Sequence, residues 1–92
     1  RVPDRLTYLD HAATTALRPE AAAAMAPWLG ERFGNPSGAH RVARAARQVV
    51  DEARDAVAAT VGCRPGDVVF TGGGTEADNL AVLGVHAARP VR

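Results

Sequence analysis

Thr71-Gly72-Gly73-Gly74-Thr75-Glu76-Ala77-Asp78-Asn79 lies between the apolar run Val68-Val69-Phe70 and the mostly apolar Leu80-Ala81-Val82-Leu83. A strand, a glycine-rich turn and a helix N-terminus in that order build an anion site, because unpaired backbone N–H groups and the positive end of the helix dipole converge on one point. Glycines at 72, 73 and 74 let a phosphate approach the backbone and permit positive φ without cost. Thr75 is suited both to cap the helix and to donate its hydroxyl to a phosphate oxygen. Glu76 and Asp78 complement the dipole, but as negative charges they would repel a phosphate. They are therefore expected to face away from the ligand or toward a cationic ring. The plain structural alternative is a tight strand-to-helix connection with a Thr cap and an acidic first turn.

Two nucleotide readings of the same loop fare differently. Gly72-Gly73-Gly74-Thr75-Glu76-Ala77 fits the dinucleotide pattern with Ala in the last place. That pattern is weak without an acid closing a second strand, and the sequence stops before one could occur. The Walker phosphate loop needs a Lys beside Ser or Thr, and all 11 basic residues here are Arg. It is excluded.

Little else in the composition is charged with chemistry. The one cysteine, Cys63, has no partner for an internal disulfide and no Cys or His at metal-ligand spacing, so it reads as a small, semi-buried residue at a helix end. Acids and bases are interspersed around a net charge of +1, with no basic run for nucleic acid or an anionic membrane. No apolar stretch has signal-peptide or membrane-spanning length, so a cytoplasmic chain is the expectation. At 92 residues one small domain is the most it could form, and because Ala supplies much of the 47% hydrophobic content, the core should be thin. The absence of an initial Met and the abrupt end on Pro90-Val91-Arg92 read as a piece of something longer.

The elements that would position the loop follow from periodicity. Leu6-Thr7-Tyr8-Leu9 is a short β-prone run, and His11 to Thr15 a loop. Pro19 suits the first turn of a helix extending to roughly Arg32, with Ala21, Met25, Trp28 and Leu29 on one side and a kink or a second, shorter helical turn at Pro27. Gly34-Asn35-Pro36-Ser37-Gly38 is a loop. From Ala39 to Val61, the clearest helix has Val42, Ala46, Val49, Ala53, Ala56 and Val57 on its apolar stripe, with Arg44, Arg47, Asp51, Arg54 and Asp55 away from it. Its charges oppose the dipole, so burial must stabilise it. Gly62 ends it in the left-handed region. Arg64 to Asp67 is a turn, Val68-Val69-Phe70 a buried strand, and Thr75 to Ala87 the last helix.

Three blocks taken together, "YLDHAATTALRPE", "FGNPSGAH" and "VVFTGGGTEADNLAV", closely resemble the N-terminal part of cysteine desulfurases, which are pyridoxal-phosphate enzymes of the class V aminotransferase group. The resemblance covers about residues 6 to 85. The GTEADN ending is more similar to the group serving iron–sulfur cluster assembly than to the Suf-type group. It implies an α/β fold: the N-terminal part of a fold-type I pyridoxal-phosphate-dependent transferase, mostly helical here with short strands, an incomplete domain over residues 1–92. It also implies that Gly74 and Thr75 hold the phosphate of pyridoxal 5'-phosphate, in agreement with the physical reading of the loop.

By that resemblance the parent protein takes sulfur from L-cysteine, gives L-alanine, and passes an enzyme-bound persulfide to a sulfur-acceptor scaffold protein. It would act as a homodimer at full length, with no nucleic-acid or membrane partner. Selenocysteine lyase is an alternative within the same class, and a non-catalytic helical module that binds a partner is an alternative outside it. A reading frame continuing through a His-Lys pair and a later Cys would favour the enzyme. The family's cofactor-linking lysine and persulfide cysteine have no counterparts here, so no catalytic and no metal-ligating residue is assigned. Cys63 does not match the family's cysteine. His11 and Thr14 lie in a block resembling a loop near the substrate side. His40 reads as a helix-start residue, and neither it nor His11 or His86 corresponds to the histidine that stacks on the cofactor ring.

As an isolated 92-residue peptide, the chain should show no desulfurase activity and form no side-chain adduct with pyridoxal phosphate, having no lysine. Borohydride trapping followed by peptide mapping checks this, and an adduct at any internal residue would contradict it.

Overall fold

The computed structural model describes residues 5–89, which form three α-helices joined by turns and coil. They are α1 (Pro19–Met25), α2 (Arg41–Val61) and α3 (Gly74–Ala88). The chain divides into two compact units, Arg1–Arg47 and Gln48–Arg92.

In the first unit, Pro19 opens α1 as expected, with Glu20 in the first turn. Pro27 has the anticipated effect in a definite form: the α-helix ends at Met25 and a 3-10 turn carries on through Ala26–Leu29. A proline ring cannot donate to the preceding turn, so the chain tightens where the bond is lost. The Gly34 to Gly38 loop is fastened to the head of α2. Arg47 donates from Nε to the Pro36 carbonyl at 2.9 Å and from Nη2 to the Gly38 carbonyl at 2.8 Å. The Ser37 amide donates to Asn35 Oδ1 at 3.0 Å, an Asx turn. At Gly34 a Cβ would lie 2.9 Å from the Val42 carbonyl oxygen, so backbone approaches backbone here as only glycine allows. His40 caps α2, its Nδ1 accepting from the Ala43 amide at 3.2 Å.

The second unit holds the rest of α2. Gly62 is the one residue with positive φ among those described, at 74°. The Cys63 amide reaches back to the Ala58 carbonyl at 3.0 Å, the bond of a Schellman closure. Cys63 itself is exposed, not semi-buried as its position after a helix suggested, because the closure engages its backbone and leaves its side chain outside. The next turn is closed by Asp67, which accepts from Arg64 Nε at 3.0 Å and from Arg64 Nη2 at 2.9 Å. The guanidinium holds the Asp67 carboxyl below its ordinary range. The bond's contribution is therefore complete above that range and is lost as pH falls through the lowered value.

Two expectations are corrected. Leu6–Leu9 and Val68–Phe70 form no strands, and the described residues contain none. A strand exists only by pairing, and neither run has a neighbour whose backbone it could meet. The buried face of α2 also departs in part from the anticipated stripe: Ala46 is buried and Val49 half-buried as expected, but Val42 and Val57 are not buried. Ala43, Ala46 and Ala58 are the buried hydrophobic residues, while Val42 and Val57 are exposed and Arg54 is half-buried. Periodicity found the helix, but small alanines, rather than the larger valines, occupy the close contacts.

No helix among the described residues is long and apolar enough to cross a membrane. In α3, Leu80, Val82, Leu83 and Val85 spread around the whole circumference and all are exposed. Among the described residues nothing covers these apolar side chains of α3. With only three alanines buried among the described residues, the isolated 92-residue segment should unfold without a sharp cooperative transition. Thermal melting followed by circular dichroism and calorimetry checks this; a single steep transition with matching van't Hoff and calorimetric enthalpies would contradict it.

Candidate functional site

The glycine loop is positioned from both sides. Before it, Arg54 of α2 stacks its guanidinium over the Phe70 ring, 5.4 Å from the centroid, and pairs with Asp51 at 3.1 Å. This places Arg54 within the fold of the second unit rather than on its solvated face, and it fixes where the chain enters Thr71. After the loop, α3 begins at Gly74 with Gly73 as its N-cap. Thr75 thus lies inside the first turn and does not cap the helix, contrary to the sequence expectation; no side chain makes the cap bond.

The loop's own side chains clasp its backbone. The Thr71 hydroxyl donates to the Gly73 carbonyl at 2.9 Å, and Asn79 Nδ2 donates to the Thr75 carbonyl at 2.9 Å. Glu76, expected to face away from a ligand or toward a cationic ring, bends back onto the start of the loop. Its Oε2 accepts from the Gly72 amide at 2.9 Å, because a three-residue glycine turn leaves that donor open and the first-turn carboxylate is the nearest acceptor. Positive φ is not used: Gly73 is extended, and Gly72 to Gly74 all lie outside the left-handed region. Their glycines matter for space instead. A Cβ at Gly73 or Gly74 would meet nothing within 4 Å, whereas at Gly72 it would sit 3.1 Å from Glu76 Oε2.

The resulting donor set is well defined. The first bond within α3 runs from the Ala77 amide to the Gly73 carbonyl at 3.1 Å. Among the described residues, the amides of Gly73, Gly74, Thr75 and Glu76 meet no protein acceptor, and neither does the Thr75 hydroxyl. Consecutive open amides at the positive end of a 15-residue helix, with free space beside two of them, fit the oxygens of a phosphate. Gly74 and Thr75, the two cofactor-binding candidates, both belong to this set.

The other candidate residues are held by local structure. The Tyr8 hydroxyl lies 2.9 Å from both the Asp10 and the Thr14 carbonyl oxygens and shares its single hydrogen between them. His11 Nδ1 lies 2.8 Å from Thr15 Oγ1, and its ring stands edge-on to Tyr8 with centroids 4.9 Å apart. His40 is occupied as a cap. His86 lies in the last turn of α3. The described residues include no cluster of His, Cys, Asp or Glu able to hold a metal ion. The role of Glu76 was missed from sequence, although its place four residues after a turn glycine carries a signal of capping.

Comparison with known proteins adds an independent line. Residues 7–91 match the family described as aminotransferase class-V. Cysteine desulfurase IscS of Dictyoglomus turgidum is 48% identical over 84 residues, covering 91% of this chain and 21% of that protein. The IscS-like cysteine desulfurase of Mycobacterium tuberculosis is 50% identical over 84 residues, with the same 91% and 21% coverage. Human selenocysteine lyase is 41% identical over 83 residues, covering 90% of this chain and 19% of its own length. The chain thus spans about a fifth of the length of these curated relatives. No solved structure matches it.

Proposed function

The chain belongs to the class V aminotransferase family, and from that premise we propose that it forms part of the cofactor phosphate site of a cysteine desulfurase. The observation that carries this reading is the donor set at the head of α3: open amides from Gly73 to Glu76 beside a Thr75 hydroxyl with no partner. On this reading residues 1–92 are the N-terminal part of the family's domain, and in the complete α/β fold Val68–Phe70 pairs with neighbouring strands.

Pyridoxal 5'-phosphate, when bound, supplies an electron sink for breaking bonds at the substrate's α- and β-carbons. The work of this chain's residues is to anchor it. Gly74 leaves room for a phosphate oxygen to reach the Gly74 and Thr75 amides, and the Thr75 hydroxyl donates one more hydrogen bond. The α3 dipole offsets part of the phosphate's charge. Because the chain has no lysine, the covalent link to the cofactor comes from elsewhere in the full-length protein. The complete enzyme would convert L-cysteine to L-alanine and a persulfide for an acceptor protein in iron–sulfur cluster assembly, as a cytoplasmic homodimer. The names of the desulfurase relatives support the substrate. The match to selenocysteine lyases favours a second reading, the same site serving selenocysteine.

In the full-length protein, Thr75→Val removes one hydrogen bond to a charged group without touching a helix cap. Such bonds are worth about 1.5–3 kcal/mol, so cofactor affinity should fall roughly ten- to a hundredfold. Gly74→Val should act similarly, and since its side chain enters open space, stability should be kept. Cys63→Ser should leave cofactor content and turnover nearly intact. Equilibrium dialysis, with sulfide and selenide release measured at saturating cofactor, checks all three. Normal affinity with lost stability in the first two variants would reduce the loop to a structural turn.

A further inference from the structure

The Glu76 carboxylate lies in an unexpected place: a negative charge folded back onto the loop that the phosphate reading assigns to an anion. Two effects compete there. The charge repels an incoming phosphate, while the bond from the Gly72 amide to Glu76 Oε2, at 2.9 Å, ties the start of the glycine turn to the first turn of α3. The open donors begin one residue later, at Gly73, so the carboxylate takes none of them. Without the tie, the glycines ahead of α3 keep one side-chain bond, from the Thr71 hydroxyl to the Gly73 carbonyl, since the Asn79 bond falls inside the helix and no side chain caps α3. Three adjacent glycines have more backbone freedom to lose on binding than any other tripeptide.

The geometry points to Glu76 as a positioning residue for the cofactor phosphate: by holding the Gly72 amide, its carboxylate keeps the Gly73 to Glu76 amides arranged before the ligand arrives. This rests on the phosphate reading of the loop. The ordering cost of the glycine turn is met on folding instead of on binding, so affinity rises although Glu76 touches no phosphate oxygen. The glycine at 72 fits the same account, since a Cβ there would crowd the carboxylate oxygen at 3.1 Å.

The test uses full-length protein stripped of cofactor, with Glu76→Ala and Glu76→Gln beside the unmodified chain. Hydrogen exchange at the peptide spanning Gly72 to Gly74 is measured without ligand, and dissociation constants are measured for pyridoxal phosphate and for pyridoxal, which lacks the phosphate. Glu76→Ala should exchange faster at this peptide and bind pyridoxal phosphate about tenfold more weakly, with pyridoxal affinity unchanged. Glu76→Gln keeps an acceptor oxygen and should restore both. Unchanged or tighter pyridoxal phosphate binding by Glu76→Ala would overturn the proposal and leave repulsion as the dominant effect. Equal weakening for both ligands, or failure of Gln to rescue, would also overturn it in favour of a general structural role. An unmodified protein that does not prefer pyridoxal phosphate over pyridoxal would sink the phosphate reading itself.

Discussion

Unsatisfied backbone donors at the head of α3 are the constraint around which the second unit is organised. A helix start leaves several amides without partners, and a side-chain cap normally answers one of them. Here the cap position is a glycine, and each side chain of the loop that forms a bond leaves those amides alone. Thr71 satisfies a carbonyl, Asn79 a carbonyl, and Glu76 the amide just before the open set. These residues are exposed, so water can meet the donors in the free chain, and the open space beside them leaves the donors accessible to an anion.

What holds the donors in place is built from short-range contacts. α2 delivers Arg54 to Phe70, and Gly62 with Cys63 closes the helix so that the chain can turn through Pro65–Asp67 toward the loop. In the first unit the same economy appears on its own terms: Arg47 grips two loop carbonyls and His40 caps the helix that carries Arg47. Neither unit encloses a substantial apolar core among the described residues. Among the described residues much of the apolar surface, including all of α3, is exposed, and the chain spans about a fifth of its relatives' length.

The features legible in the sequence were those with a local cause. Pro27 altered its helix because it lacks a donor, Gly62 took positive φ because a helix end there needs it, and the glycine loop opened α3. Features set by distant partners were not legible. Val68–Phe70 has β-prone side chains, but a strand needs a neighbour and none is present among the described residues. The register of the buried face of α2 depended on which neighbours come close, which favoured Ala43 and Ala58 over Val42 and Val57. At the site, two local roles depended on backbone geometry that residue types do not reveal: the cap position falls on Gly73 and not on Thr75, and the Glu76 carboxylate bonds the Gly72 amide.

The most direct test of the central claim, that the open amides of this loop receive the cofactor phosphate, is the backbone resonance of Thr75 itself. Full-length protein labelled with 15N-threonine, with the Thr75 signal assigned by its loss in Thr75→Ser, would be titrated with pyridoxal phosphate and separately with pyridoxal. The account predicts a strong downfield shift of the Thr75 amide proton with the phosphorylated ligand and a small one with pyridoxal, since a hydrogen bond to a phosphate oxygen deshields the proton. Saturation with pyridoxal phosphate while the Thr75 signal stays unmoved would contradict it.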